Sequence, residues 1–380
     1  MRVEKLSNNI DTKKYLKELG VDGGGVDILA SKIQHFVIRI KDLHVGGANI
    51  LKQDALSVGG DLAVPRGTVI ATTQYVDCML IATRRQLQIL SKKELVQPFG
   101  LRELAHKLRD ILEVKKPQHV EIMGVINAND DSFYSGSRFQ GSHAIEVTEK
   151  MIEDGADIID IGGVSSRPNA PKVSVEDEFL RVKPIVDGIK KAKLYEKVKF
   201  SIDSYEPKVI SYALESGFKI VNDITGLAND EVCKLCASYE ATAVIMHMQG
   251  SPKTMQDNPK YERVLSDIYS FLQERVLKAE SFGIKDIILD IGIGFGKSVE
   301  DNLVLLKHLE HFLTLDRPLL VGASRKSMID KISPSLVDER LAGTLTLHLE
   351  ALRNGASILR VHDVKEHQQA LRVYEILNRI

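Results

Sequence analysis

From residue 117 onward the chain repeats one unit eight times: a short apolar run rich in β-branched residues, a polar residue that closes it, and a stretch with helical apolar spacing. The runs are HVEIMGVIN, DIIDIGG, KFSIDS, KIVNDI, TAVIMHM, DIILDIG, LLVGAS and ILRVHD. Between them lie segments such as AIEVTEKMIEDGA, EDEFLRVKPIVDGIKKA and AGTLTLHLEALRNGA, with apolar residues at i, i+3 and i+4 and glycine near the end, the marks of crossover helices. Alternation of this kind predicts a (β/α)8 TIM barrel, with a large open doubly wound sheet as the alternative by pattern alone. The polar residues favour the barrel. Asn127, Asp160, Asp203, Asn222, Asp290, Ser324 and His362 all close their runs, and in a barrel those strand ends converge on one mouth.

Residues 1 to 116 read differently. Strand-like pieces (HFVIRIKDL, GTVIATT, DCMLIAT) mix with helix-like ones (LRELAHKLRDILE), which predicts a small α/β N-terminal domain over 1–116 before a barrel over 117–380. Gly46, Gly47, Gly59 and Gly60 read as turn residues. The chain of 380 residues is 43% hydrophobic with formal net charge -1 and both signs interspersed, so nothing suggests nucleic acid as a partner. The first residues, MRVEKLSNNIDTKKY, lack a secretory signal, and no segment has the length to span a bilayer, so the expected location is cytoplasmic. Three cysteines do not make a disulfide scaffold, and Cys233 and Cys236, set among apolar residues at helical spacing, read as core residues rather than a redox or metal pair.

The stretch GIGFGKS, 292 to 298, resembles a phosphate loop but fails the template. Ile291 stands where a P-loop needs glycine, and Lys297 stands where G-x-G-x-x-G needs its third. Positive charge gathers instead after the seventh and eighth runs, in Ser324, Arg325, Lys326, Ser327, Arg360 and His362, where barrels hold phosphate. A phosphorylated or diphosphorylated substrate follows. Across the mouth, Asp160, Asp203, Asn222 and Asp290 suit a flat heterocycle with several N–H donors, and magnesium binding by the same hard oxygens is the rival. Lys326 reads either as a hydrogen-bond donor to substrate or as a Schiff-base amine, and His247 as a base or a satisfied barrel histidine.

The ordered motifs MGVIN, DIGGVSSRP, FSIDS, VNDI, MHMQGSPKTMQ, DIGIGFGKS, GASRKSMI and RVHDVKE resemble the dihydropteroate synthase family over about residues 118 to 380. The resemblance implies condensation of a dihydropterin methyl diphosphate with p-aminobenzoate, giving 7,8-dihydropteroate and pyrophosphate through a pterin cation. It implies that Asp203, Asn222, Asp290 and Lys326 bind the pterin edges, with Asp160 in the same pocket, and that Arg360 stacks on the ring while facing the diphosphate. Lys326, Arg360, His362 and Asp203 carry the catalytic roles on this reading. His362 and Asn127 complete the anion site, with Asn127 beside Mg2+. Ser327 holds the aminobenzoate carboxylate, Phe295 and Pro168 wall the apolar slot, and Ser166 and Arg167 arrive on a loop. A homodimer through the late helices is also implied. The chain departs from the family where Ala128, Asn129 and Asp130 replace Val-Thr-Pro ahead of a shared Asp-Ser-Phe, where Ser135 takes a frequently acidic loop position, and where Ile291 replaces a usual proline. The rivals are a pterin-binding methyltransferase, which has no need of the Ser-Arg-Lys-Ser and Arg-Val-His cluster, and a non-catalytic pterin-binding paralogue.

Overall fold

The computed structural model describes the chain apart from residues 2, 8–9, 129–141, 165–172, 251–254, 256–258 and 379–380. Two compact units divide it, Met1–Val114 and Lys115–Ile380.

In the first unit helices α1 (Thr12–Glu18) and α2 (Gly23–Ala30) precede strand β1 (His35–His44), helix α3 (Val45–Ser57) and strands β2 (Asp61–Ala63) and β3 (Tyr75–Thr83); helices α4 (Arg84–Lys93) and α5 (Leu101–Glu113) close it. The sheet has the order β1-β3-β2 and both pairings are antiparallel. Period-two alternation in β3 buries Val76, Cys78, Leu80 and Ala82 against Leu51, Leu87, Leu90, Leu101 and Leu108, as expected of a sheet with one covered face. Two expectations are corrected here. GTVIATT is not a strand: Thr68–Ile70 form a 3-10 turn between Gly67 (φ 90) and Ala71 (φ 52), and left-handed residues at both ends break extension. Gly46 and Gly47 are not turn residues but lie in the first turn of α3. A Cβ on Gly47 would stand 3.0 Å from the Phe99 carbonyl, so close packing accounts for that glycine.

The second unit alternates β4 (Glu121–Asn127), α6 (Ser142–Glu153), β5 (Ile158–Gly162), α7 (Val175–Ala192), β6 (Lys199–Asp203), α8 (Pro207–Glu215), β7 (Ile220–Asp223), α9 (Asp230–Ser238), β8 (Thr242–Met246), α10 (Val264–Ser281), β9 (Ile287–Asp290), α11 (Val299–Lys307), β10 (Leu319–Val321), α12 (Ser327–Ile332), α13 (Leu341–Arg353), β11 (Ile358–Val361) and α14 (Val364–Leu377). The eight strands close into a parallel barrel in the order β10-β11-β4-β5-β6-β7-β8-β9. Helix starts carry local signals: Ser174 caps α7 ahead of Glu176, Asp177 and Glu178, and Ser298 and Asp301 form a capping box on α11, each satisfying amides that the first turn leaves open.

Strand alternation positions the site. Met123, Ile158, Ile220, Val244, Ile288, Leu320 and Ile358 form an aliphatic ring inside the barrel. Side chains two residues further along a strand face the same way. That step leads to Val125, Asp160, Asn222, Met246, Asp290, Gly322 and Arg360, joined from β6 by Asp203, which pairs in register with Gly162 and Asn222. A further step reaches Asn127, Ser324 and His362. One polar layer therefore sits on an aliphatic floor at the C-terminal mouth.

Candidate active site

Arg360 organises the polar layer. Its Nε donates to Asp160 Oδ2 at 2.7 Å and its Nη2 to Asp203 Oδ2 at 2.7 Å, while Asn222 Nδ2 donates to the same Asp160 oxygen at 3.0 Å. Asp160 is fully buried, and among the described residues its Oδ1 has no hydrogen-bond partner. Burial alone would lower the Arg360 pKa, but Asp160 and Asp203 outweigh it and raise it. Burial pushes Asp203 up to about 7 despite the pull of Arg360. On β9, Asp290 Oδ1 accepts the Gly292 amide at 2.7 Å, and burial raises this carboxyl too, with Lys326 opposing. The layer presents carboxylate oxygens whose charge the desolvated surroundings penalise, a setting that rewards a ligand bringing N–H donors.

Lys326 follows β10 and points across the mouth. Its Nζ donates to the Ile293 carbonyl and stands 4.3 Å from the Phe295 ring centroid, a cation–π distance. Burial lowers it to about 8, against the pull of Asp290. Ser324 Oγ lies 2.9 Å from His362 Nδ1 and accepts the His362 amide at 3.3 Å, so the hydroxyl proton is available to Nδ1. Burial, then Arg360, hold His362 down to about 4, and the ring is neutral at pH 7. Ser327 is exposed at the start of α12, and Asn127, half-buried, ends β4. Ser166, Arg167 and Pro168 lie outside the described residues.

Arg325 does not join this group. It is turned away at φ 55, with Nε and Nη2 on Asp363 at 2.9 and 2.6 Å and Nη1 on the Val337 carbonyl at 3.0 Å. Its reading as part of the anion cluster is corrected: the left-handed backbone sends Arg325 behind the mouth and Lys326 into it. The GIGFGKS turn is held by its own lysine. Lys297, buried, lies within 2.8–3.2 Å of His247 Nδ1 and the carbonyls of His247, Gly292 and Phe295. Gly292 is required there, because it has φ 67 and a Cβ would stand 1.9 Å from the His247 carbonyl. Burial, then the Lys297 charge, depress His247 to about 3. Lys297 fits no nucleotide-binding template, and the local signal for its role is a lysine that closes a glycine-rich turn after β9. Cys233 and Cys236 are buried on α9, and burial pushes the Cys236 thiol up to about 12, far from a reactive thiolate.

Lys297→Met should strand His247 Nδ1 and the His247 and Phe295 carbonyls, while the Gly292 carbonyl keeps the Phe295 amide at 3.1 Å. We expect a loss of about 3 kcal/mol, because each buried group left unpaired costs roughly 1–3 kcal/mol and part of the turn relaxes. Urea unfolding checks this, and a midpoint unchanged from the parent would contradict it.

The family described as pterin binding enzyme matches residues 123–362. A Helicobacter pylori protein named bifunctional dihydropteroate synthase/dihydropteroate reductase is 44% identical over 365 residues, 96% of each chain. The crystal structure of the Yersinia pestis dihydropteroate synthase in a sulfonamide drug complex superposes with a TM-score of 0.66 at 35% identity, covering 69% of this chain and 95% of that one. The Xanthomonas albilineans dihydropteroate synthase with 4-aminobenzoic acid gives 0.63 at 35% identity, covering 69% and 94%. The barrel, its polar layer and these matches agree: this chain belongs to the dihydropteroate synthases of the pterin-binding enzyme family.

Proposed function

We propose that the chain condenses 6-hydroxymethyl-7,8-dihydropterin diphosphate with p-aminobenzoate to form 7,8-dihydropteroate and pyrophosphate in folate biosynthesis. The observation that carries this reading is the single layer of Asp160, Asp203, Asn222, Asp290 and Arg360 with Lys326, Ser324 and His362 beside it. Asp203, Asn222 and Asp290 accept and donate at the edges of the pterin, and Asp160 fixes Arg360 and Asn222 in place. The methylene C–O bond breaks with its electron pair leaving on the diphosphate; the amine nitrogen of aminobenzoate then forms the C–N bond and loses a proton. Arg360 and Lys326 stabilise the charge gathering on the leaving oxygen, and nearby carboxylates stabilise the pterin cation. Ser327 receives the aminobenzoate carboxylate, and Phe295 walls its ring.

Asn127 offers a hard amide oxygen on β4, the strand paired with β11. Among the described residues no group of three His, Cys, Asp or Glu side chains forms an all-protein cage, and magnesium shared with a diphosphate needs few protein ligands. Asn127 therefore fits the Mg2+ corner, where the ion when bound neutralises the leaving diphosphate. A homodimer in the cytoplasm completes the reading. Its support is the exposed Val373, Ile376 and Leu377 on α14 and three free cysteines, and sedimentation velocity at micromolar concentration checks it. No described helix is long and apolar enough to cross a membrane.

The direct test is formation of dihydropteroate from both substrates, with competition between a sulfonamide and aminobenzoate. Absence of product would refute the reading. The pH dependence is a second expectation. Because Lys326 loses its proton near pH 8, KM for the pterin diphosphate should rise as pH increases through about 8. Lys326→Arg, which stays charged, should move that limb upward; an unchanged limb would assign it elsewhere.

A second reading concerns reduction of the product. A Helicobacter pylori relative that matches 96% of this chain, residues 1 to 116 included in large part, is named for a reductase as well as a synthase, whereas the two solved synthases described above cover 69%. We infer that this chain also reduces dihydropteroate, taking a hydride from a nicotinamide or a reduced flavin and a proton from solvent. Tetrahydropteroate formed with either donor would support this, and none with both would refute it.

A further inference from the structure

Two buried histidines that do not line the mouth connect its two anion-facing loops. The Ala323 amide donates to His348 Nε2 at 3.0 Å. That backbone group can only donate, so Nε2 carries no proton and the neutral ring has Nδ1–H. His348 Nδ1 lies 2.8 Å from His367 Nε2, which must therefore accept, and His367 Nδ1–H donates to the Asp363 carbonyl at 2.6 Å. Every proton in this relay is assigned by geometry.

The relay ends where the anion site begins. Ala323 immediately precedes Ser324, and Asp363 immediately follows His362. Asp363 also grips Arg325 with both oxygens, the Arg325 amide donates to Thr344 Oγ1 at 2.9 Å, and Arg340 donates to the Arg325 carbonyl at 3.2 Å. Helices α13 and α14 thereby hold the β10 and β11 loops in one register. The geometry points to His348 and His367 as positioning residues that set Ser324 and His362 for the substrate's diphosphate, an inference that rests on the synthase reading above.

Burial lowers both imidazoles, with His367, Lys326 and His362 adding to the effect at His348, and with Asp363 and Glu366 opposing it at His367. The rings are neutral, as the relay requires: an added proton would set donor against donor at Ala323 or between the rings.

The test uses the full chain with sulfate as the anion, because its charge is constant from neutral to mildly acid pH. His348→Leu removes the acceptor of the Ala323 amide. We expect a cooperatively folded variant with sulfate affinity down about tenfold, the worth of one well-placed hydrogen bond, KM for the pterin diphosphate raised in parallel, and kcat changed by less than about threefold. His348→Gln, able to accept from Ala323 and donate to His367, should return affinity to within about threefold of the parent. Nitrogen chemical shifts of the parent should show Nδ1–H on both rings. A folded His348→Leu variant that binds sulfate as the parent does would overturn the inference, as would an Nε2–H tautomer at either ring. Should His348→Leu not fold, His367→Leu, which keeps the Ala323 bond, is read by the same criteria. A parent that binds neither sulfate nor pyrophosphate overturns the synthase reading and this inference together; normal binding in parent and variants overturns the inference alone.

Discussion

Arg360→Ala should lower kcat/KM for dihydropteroate formation about a thousandfold, in the range lost when a charged donor is taken from a developing anion. The guanidinium is both a cation at the mouth and the clamp between Asp160 and Asp203, with 2.7 Å bonds to each. Its removal leaves two carboxylates facing each other without their counter-charge. The Arg360 side chain is 23% exposed, so the stability cost should be about 2 kcal/mol, below the ~3–5 kcal/mol of breaking a fully buried pair. The pH dependence has a definite sign. Asp203 already titrates above its unfolded value, near 7, and loss of Arg360 raises it further. A carboxyl with a raised folded pKa binds more protons folded than unfolded, so stability falls as pH rises from the unfolded pKa through the folded one. The variant should therefore lose more stability relative to the parent at pH 8 than at pH 5, as measured by urea unfolding. Lys restores a charge but cannot bridge two carboxylates with a planar fork, and Arg360→Lys should recover only part of the activity. Full activity in Arg360→Ala would remove this residue from the mechanism.

The second large effect is expected at Asp290. Its Oδ1 holds the Gly292 amide at 2.7 Å, and its carboxyl belongs to the buried layer proposed above to receive the pterin edge. Asn keeps the shape but turns one acceptor into a donor, so a buried N–H meets the ring's own N–H. A site built to accept and then supplied with a donor loses binding severely, and we expect kcat/KM about 10²–10³-fold lower, mainly through KM for the pterin. Asp290 also raises the Lys326 pKa. Its neutralisation should shift the alkaline limb of the KM profile to lower pH, a change that loss of ring contacts alone would not produce. Steady-state kinetics between pH 6 and about 9.5, spanning the Lys326 titration, separates the two contributions.

Why was so much of this site legible in the chain? Parallel strands alternate inward and outward, and a polar residue two places beyond an inward aliphatic one can only face the mouth. Asp160 after Ile158, Asn222 after Ile220, Asp290 after Ile288 and Arg360 after Ile358 follow that rule. Residues placed by turns and tertiary pairing were not legible in the same way. Arg325 and Lys326 are adjacent cations, and the left-handed backbone and a partner 38 residues away that separate them leave no local pattern. Lys297 is buried by four acceptors, three of them backbone carbonyls whose directions depend on the fold. His348 and His367 each sit on the packed face of an amphipathic helix, where a histidine reads as core until its neighbour is known. In the first unit, GTVIATT has strand composition, but the left-handed residues at Gly67 and Ala71 override it.

The most direct measurement is pyrophosphate release from 6-hydroxymethyl-7,8-dihydropterin diphosphate with Mg2+, run with and without p-aminobenzoate. With aminobenzoate present, pyrophosphate release should be matched mole for mole by dihydropteroate. Tight pterin binding with no pyrophosphate released under either condition would contradict the synthase reading.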